Sequence, residues 1–128
     1  MILIKEDKLI TRISIIIPTL NESNNLPLLL SDLSEINNIS EILIVDSTST
    51  DKTKDIALIN GTKFYKLNKN NRGLQLNYGA EKAKGEWLLF IHADSRLKFN
   101  WSKKVMDISK RDSNFIYYFK FKVNNKIF

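Results

Sequence analysis

An α/β domain built on a doubly wound, mostly parallel sheet follows from three features of this 128-residue sequence. Short uncharged runs rich in Ile, Leu and Val alternate with segments whose leucines recur at helical spacing. Glycines and Asn- or Ser-rich stretches punctuate the boundaries. Two of the apolar runs lead directly to an aspartate: Ile42-Leu43-Ile44-Val45 precedes Asp46, and Trp87-Leu88-Leu89-Phe90-Ile91 precedes His92-Ala93-Asp94. In open α/β sheets ligands bind beyond the carboxyl ends of the strands, so two acids at two strand ends mark one candidate site.

The elements follow in chain order. Residues 13–17 are β-branched apart from Ser14 and run into Pro18, which reads as a buried parallel strand stopped by a residue that cannot donate to the ladder. Leu26, Leu29, Leu30 and Leu33 then predict a helix, with Pro27 tolerated in its first turn. A second strand is predicted over residues 41–45 and a second helix over 50–59, entered through the hydroxyl-rich Ser47-Thr48-Ser49-Thr50-Asp51. Gly61 breaks the chain before a short strand at 63–67. A third helix over 74–83 ends before Gly85, and residues 86–91 form the next strand, in which Trp87, Leu88, Leu89 and Phe90 read as core. A helix over 101–108 and a final strand over 115–123, with aromatic and basic residues alternating, close the chain. That last strand, with Phe115, Tyr117, Phe119 and Phe121 incompletely covered, is an expected site of self-association and thus of a homo-oligomer.

A content of 43% hydrophobic residues supports a core for one domain over residues 1–128. With no cysteine, disulfides and thiolate metal sites are excluded. The formal charge of +6 favours anionic partners: nucleotide phosphates, nucleic acid or an acidic membrane surface. Lys66, Lys69 and Lys84 read as solvated charge. No apolar run is long enough to span a bilayer, and residues 1–6 lack the features of a signal peptide, so the sequence predicts a soluble, cytoplasmic protein.

Four blocks carry a family resemblance. They are Ile15-Ile16-Ile17-Pro18-Thr19-Leu20-Asn21-Glu22, Ile44-Val45-Asp46-Ser47-Thr48-Ser49-Thr50-Asp51-Lys52-Thr53, Asn71-Arg72-Gly73-Leu74-Gln75-Leu76-Asn77-Tyr78-Gly79-Ala80 and Gly85-Glu86-Trp87-Leu88-Leu89-Phe90-Ile91-His92-Ala93-Asp94. Their order across about residues 13–101 resembles family 2 glycosyltransferases of GT-A fold. The Arg-Gly-x-Gln-x-Asn and His-Ala-Asp versions are similar to a small bacterial subgroup found associated with radical-SAM proteins. The resemblance implies transfer of a sugar from a nucleotide-sugar donor, of UDP type, to an unknown acceptor, with a divalent cation, Mn²⁺ or Mg²⁺, as cofactor. A lipid acceptor at a membrane surface is among the partners it implies, and no nucleic acid is.

By the same resemblance Pro18, Thr19 and Glu22 belong to the loop that lines the nucleotide, and Asp46 is the acid that receives uracil or ribose. Capping of the second helix is the competing structural role for Asp46 and Asp51. Arg72 is implied to meet phosphate at a helix N-terminus beside Gly73. Gln75 and Asn77 either assist it or settle the loop backbone. His92, Ala93 and Asp94 match the family's Asp-x-Asp segment, in which Asp94 holds the cation against the diphosphate. His92 replaces the first acid and is implied as a second ligand of the cation beside Asp94; as an imidazole it is a softer ligand than a carboxylate, and a lone histidine is often structural.

The resemblance also implies that the chain stops before the half that binds acceptor and carries the catalytic base, and no residue here is nominated for that base. Two other classes compete with an enzyme: a non-catalytic nucleotide- or metal-binding module of the same fold, and a basic α/β domain that binds nucleic acid. The latter is favoured by charge and aromatics and lacks a recognisable motif.

Overall fold

Every residue of β1 (Ile13–Thr19) is buried, a burden a strand carries only in the middle of a sheet covered on both faces. The computed structural model, which describes residues 12–111 and 116–118, places it there. Four parallel strands stand in the order β3-β2-β1-β4, with β2 at Ile39–Ser47, β3 at Lys63–Leu67 and β4 at Trp87–Phe90. Between them run α1 (Leu26–Leu33), α2 (Thr53–Ile59) and α3 (Arg72–Lys82), and α4 (Trp101–Ser109) follows β4.

Strand alternation assigns the faces. Ile13, Ile15, Ile17 and Ile44 point to one side, where Leu26, Leu29, Leu30 and Leu33 of α1, Ala57 of α2, and Trp101 and Val105 of α4 close over them. Ile16, Leu43 and Val45 point to the other side, against Leu76, Tyr78 and Ala80 of α3. Helices on both faces make the sheet doubly wound, as the alternating pattern predicts. Contact between α3 and the sheet is tight at Gly79, where an added Cβ would lie 2.5 Å from Cγ2 of Ile16.

β1 runs two residues beyond its predicted end. It pairs with β2 through Pro18 and Thr19, whereas its register with β4 stops at Ile16 opposite Phe90. The Ile16 carbonyl accepts from Ile91 N–H on the β4 side, so by alternation the N–H that Pro18 lacks also falls on that side, past the end of the ladder. Helix α2 starts at Thr53 rather than 50 because residues 48–52 are spent on a loop, and α3 starts at Arg72 because the Asn71 side chain caps it by accepting from Leu74 N–H at 3.1 Å.

Two core assignments need correction. Leu88 and Phe90 lie on the α3 face of the edge strand, which no helix covers there, and remain 38% and 47% exposed; Trp87 and Leu89 pack against the core on the opposite face. Ile116, Tyr117 and Tyr118 are in neither helix nor strand, and the rest of the strand expected over 115–123 lies outside the described residues, as do residues 1–6.

A buried carboxylate joins the amino ends of the strands. Glu41 accepts from Ser14 Oγ at 2.6 Å, Lys63 Nζ at 2.6 Å and Lys84 N–H at 2.5 Å, linking β1, β2, β3 and the turn into β4. Burial pushes its pKa up, and the Lys63 ammonium, the Ser14 hydroxyl and the Lys84 amide more than reverse this, holding it at about 2 against a usual 4.5. Because the folded value is the lower one, the stabilisation is complete above the unfolded pKa and drains away as pH falls from 4.5 toward 2. Glu41→Gln is therefore expected to cost about 1–3 kcal/mol at neutral pH and to flatten the acid limb of the stability curve. Urea denaturation across this pH range measures both.

Candidate functional site at the carboxyl edge of the sheet

Chain order steps from β1 through β2 to β3 in one direction and then returns to place β4 on the other side of β1. The reversal opens a crevice between the carboxyl ends of β1 and β4, the position where such sheets bind ligands. Three loops surround this edge: those after β1, β2 and β4.

The loops after β1 and β2 are locked together. Asn21, at a φ of +52°, donates its N–H to Ser49 Oγ at 2.7 Å, and its Oδ1 accepts from Thr50 N–H at 2.8 Å. Glu22 N–H donates to Thr53 Oγ1 at 2.9 Å, and Ser23 N–H to Asp51 Oδ2 at 3.0 Å. Asp51 Oδ1 also accepts from Thr53 N–H at 2.9 Å, so this acid does set the entry to α2. The Glu22 side chain is half-buried and accepts from Asn25 Nδ2 at 3.1 Å. Thr48 sits at a φ of +58°, an uncommon conformation for a β-branched residue, directly between two residues of the site.

Asp46 lies at the centre of this arrangement and is 2% exposed. Its Oδ1 accepts from Thr19 Oγ1 at 2.7 Å and Ser49 Oγ at 2.5 Å, and its Oδ2 from Ser49 N–H at 2.9 Å. A carboxylate offers about four acceptor positions, so one on Oδ2 is left for a further donor. Gln75 is equally buried, and its amide donates to the carbonyls of Thr19 at 3.0 Å and Val45 at 2.8 Å, fastening α3 to the tips of β1 and β2. The structure thus brings Pro18, Thr19, Asp46 and Gln75 together. Arg72 stands exposed in the first turn of α3 and makes no ion pair among the described residues. Asn77 is exposed further along α3, beside Leu67, Leu74 and Tyr78 in an open groove, and reaches Glu81 at 3.4 Å.

Beyond β4 the chain keeps its alternation for three residues. Ile91 and Ala93 are buried in the core, so Ala93 offers a ligand its backbone alone. Asp94 is exposed and has no hydrogen-bond or ion-pair partner among the described residues. His92 is half-buried. This loop is held to α1 by Arg96, whose Nε and Nη2 donate to Asp32 at 2.9 and 3.1 Å, while Leu97 N–H donates to Asp32 Oδ2 at 3.0 Å. The Arg96 hydrogen bond, opposed by burial and aided by the Leu97 amide, lowers the Asp32 pKa.

The described residues contain no group of three or more His, Cys, Asp or Glu side chains able to hold a metal by themselves. A lone exposed carboxylate does fit a hard divalent cation whose remaining ligands are phosphate oxygens and water, the mode in which Mg²⁺ usually binds. Asn21, Ser49, Arg96 and Asp32 were not legible as site residues. Asn21 carried one signal, an Asn at a loop position suited to positive φ.

The parallel sheet, its strand order and the helices on both of its faces define a GT-A-like α/β fold. The chain matches Glycosyl transferase family 2 over residues 14–127 and belongs to that family. It is 34% identical over 100 residues to the 4,4'-diaponeurosporenoate glycosyltransferase of Staphylococcus haemolyticus, covering 73% of this chain and 27% of that protein. It is 38% identical over 91 residues to a PGL/p-HBAD biosynthesis glycosyltransferase of Mycobacterium bovis, covering 66% and 36%. Among solved structures, S. aureus TarS in complex with UDP superposes with a TM-score of 0.65 at 26% identity, covering 77% of this chain and 31% of TarS. Glucosyl-3-phosphoglycerate synthase of Mycobacterium tuberculosis, in complex with Mn²⁺, UDP and glucosyl-3-phosphoglycerate, shares the fold at 20% identity, with a TM-score of 0.59 over 67% of this chain and 36% of the synthase. The chain spans about a quarter to a third of the length of these curated relatives. No helix among the described residues is long and apolar enough to cross a membrane.

Proposed function

We propose that this chain is the donor-binding unit of a glycosyltransferase: it takes a UDP-type nucleotide sugar with a divalent cation, Mn²⁺ or Mg²⁺, and presents the sugar for transfer. The observation that carries this reading is the unpartnered, exposed Asp94 at the switch-point crevice, beside strand tips held rigid by Asp46 and Gln75. The UDP complex of TarS and the Mn²⁺ and UDP complex of the synthase support the choice of ligand.

In this reading Asp94 supplies one ligand to the cation, whose chemistry is to neutralise charge developing on the leaving diphosphate. The remaining acceptor position on Asp46 Oδ2 suits a uracil or ribose donor, with Thr19 and Ser49 fixing its direction. Arg72, without an ion pair among the described residues and at the start of α3, suits a phosphate oxygen. Pro18, Glu22 and Ala93 contribute the walls of the crevice. The Arg72-Gly73-x-Gln75-x-Asn77 and His92-Ala93-Asp94 segments favour the radical-SAM-associated subgroup. In this account the sequence is one donor-binding domain, and the role assigned to its residues is to hold the donor.

Calorimetric titration with UDP, GDP and ATP, each with and without Mn²⁺, tests the proposal. Preferential binding of UDP that strengthens with Mn²⁺ is expected. Equal affinity for ATP, or no UDP binding in either medium, would refute it.

A further inference from the structure

His92 is the chain's sole histidine, and its two ring nitrogens stand in different surroundings. Nδ1 is buried and has no hydrogen-bond partner among the described residues. Nε2 makes no hydrogen bond among the described residues either, but it is not among the buried unpartnered atoms, so it is open to solvent.

A neutral imidazole carries one ring hydrogen. Placed on Nδ1, that hydrogen would be a buried donor with nothing to receive it, a rarer and costlier arrangement than an under-used buried acceptor. Packing therefore selects the form with hydrogen on Nε2. A histidine that ligates a metal needs the reverse: the exposed nitrogen must be bare, and the buried one must give its N–H to a carboxylate, carbonyl or water. Around Nδ1 of His92 that acceptor is missing.

We propose that His92 does not ligate the cation and instead donates from Nε2–H to a diphosphate oxygen of the bound donor. The two residues that replace a paired-acid motif then divide the work, with Asp94 meeting the cation and His92 meeting the anion directly. The identity of the ligand rests on the function proposed above; the placement of the ring hydrogen does not.

Three measurements test this. Long-range ¹H–¹⁵N correlation spectra of the ligand-free protein are expected to report hydrogen on Nε2 and a bare Nδ1; hydrogen on Nδ1 would overturn the inference. Electron spin-echo spectroscopy of the protein with Mn²⁺ and UDP is expected to show no directly bound imidazole nitrogen, and a clear ¹⁴N coupling would overturn it. UDP affinity should fall about tenfold in His92→Ala, the loss of one charge-assisted hydrogen bond, and largely recover in His92→Gln, whose amide N–H₂ reaches a similar place. An unchanged affinity in folded His92→Ala would reject the donation. If the wild type binds no UDP at all, the proposed function fails, while the ring-hydrogen assignment is still decided by its own spectrum.

Discussion

Asp46→Asn should lower the stability of the protein by roughly 2–3 kcal/mol, a large effect for a change that leaves the side chain the same size. The carboxylate receives three donors in a site with almost no access to water. An amide that keeps its oxygen on the Ser49 N–H turns its N–H₂ toward the two hydroxyls, which must then rotate to accept where they had donated, and the charge that strengthened all three bonds is gone. The cost extends to ligand binding, because Thr19 and Ser49 hold the loops after β1 and β2 through this acid, and UDP affinity should fall with it. Asp51→Asn provides the comparison: Asp51 is exposed, and losing its contacts at the entry to α2 should matter less in both measurements. Urea denaturation and UDP titration on the two variants decide the point. A stable Asp46→Asn protein with undiminished affinity would reject both roles.

Asp94→Ala should behave in the opposite way. The side chain is exposed and touches no partner among the described residues, so stability should stay within about 0.5 kcal/mol of wild type. The enhancement of UDP binding by Mn²⁺ should be lost, a change on the order of tenfold or more, because a cation held by phosphate and water alone gains little from the protein. Mn²⁺ without nucleotide should bind neither protein measurably, since the described residues gather no set of three such ligands around Asp94. Undiminished Mn²⁺ dependence in the variant would show that the cation sits elsewhere.

Strands and helices were legible wherever a local period decided them. The leucines at 26, 29, 30 and 33 all enter the core, and β1 and the stretch 43–47 of β2 are buried, as their apolar runs predict. Failures arise where the deciding partner is remote in sequence. Pro18 stays in its strand because the ladder with β4 has already ended, a fact set by residues some 70 positions away. Phe90 and Leu88 have the composition of core residues yet lie on an edge that α3 does not reach. In the site, the aspartates announced themselves by following apolar runs. Asn21, Ser49, Arg96 and Asp32 did not, since each acquires its role through a contact made across 28 or more positions. Glu41 carried one faint signal, an acid at the mouth of an apolar run, and its partners Ser14 and Lys84 lie 27 positions before it and 43 after it.

The fork of Arg96 on Asp32 gives the segment carrying Asp94 a mechanical anchor. Helix α1 grows directly out of the loop after β1, so the two banks of the crevice are moored to the same helix. The width of the gap between them is thus set by the fold, and a group bound across it would not have to spend binding energy on freezing that loop. The same mooring restrains that loop from swinging over the crevice.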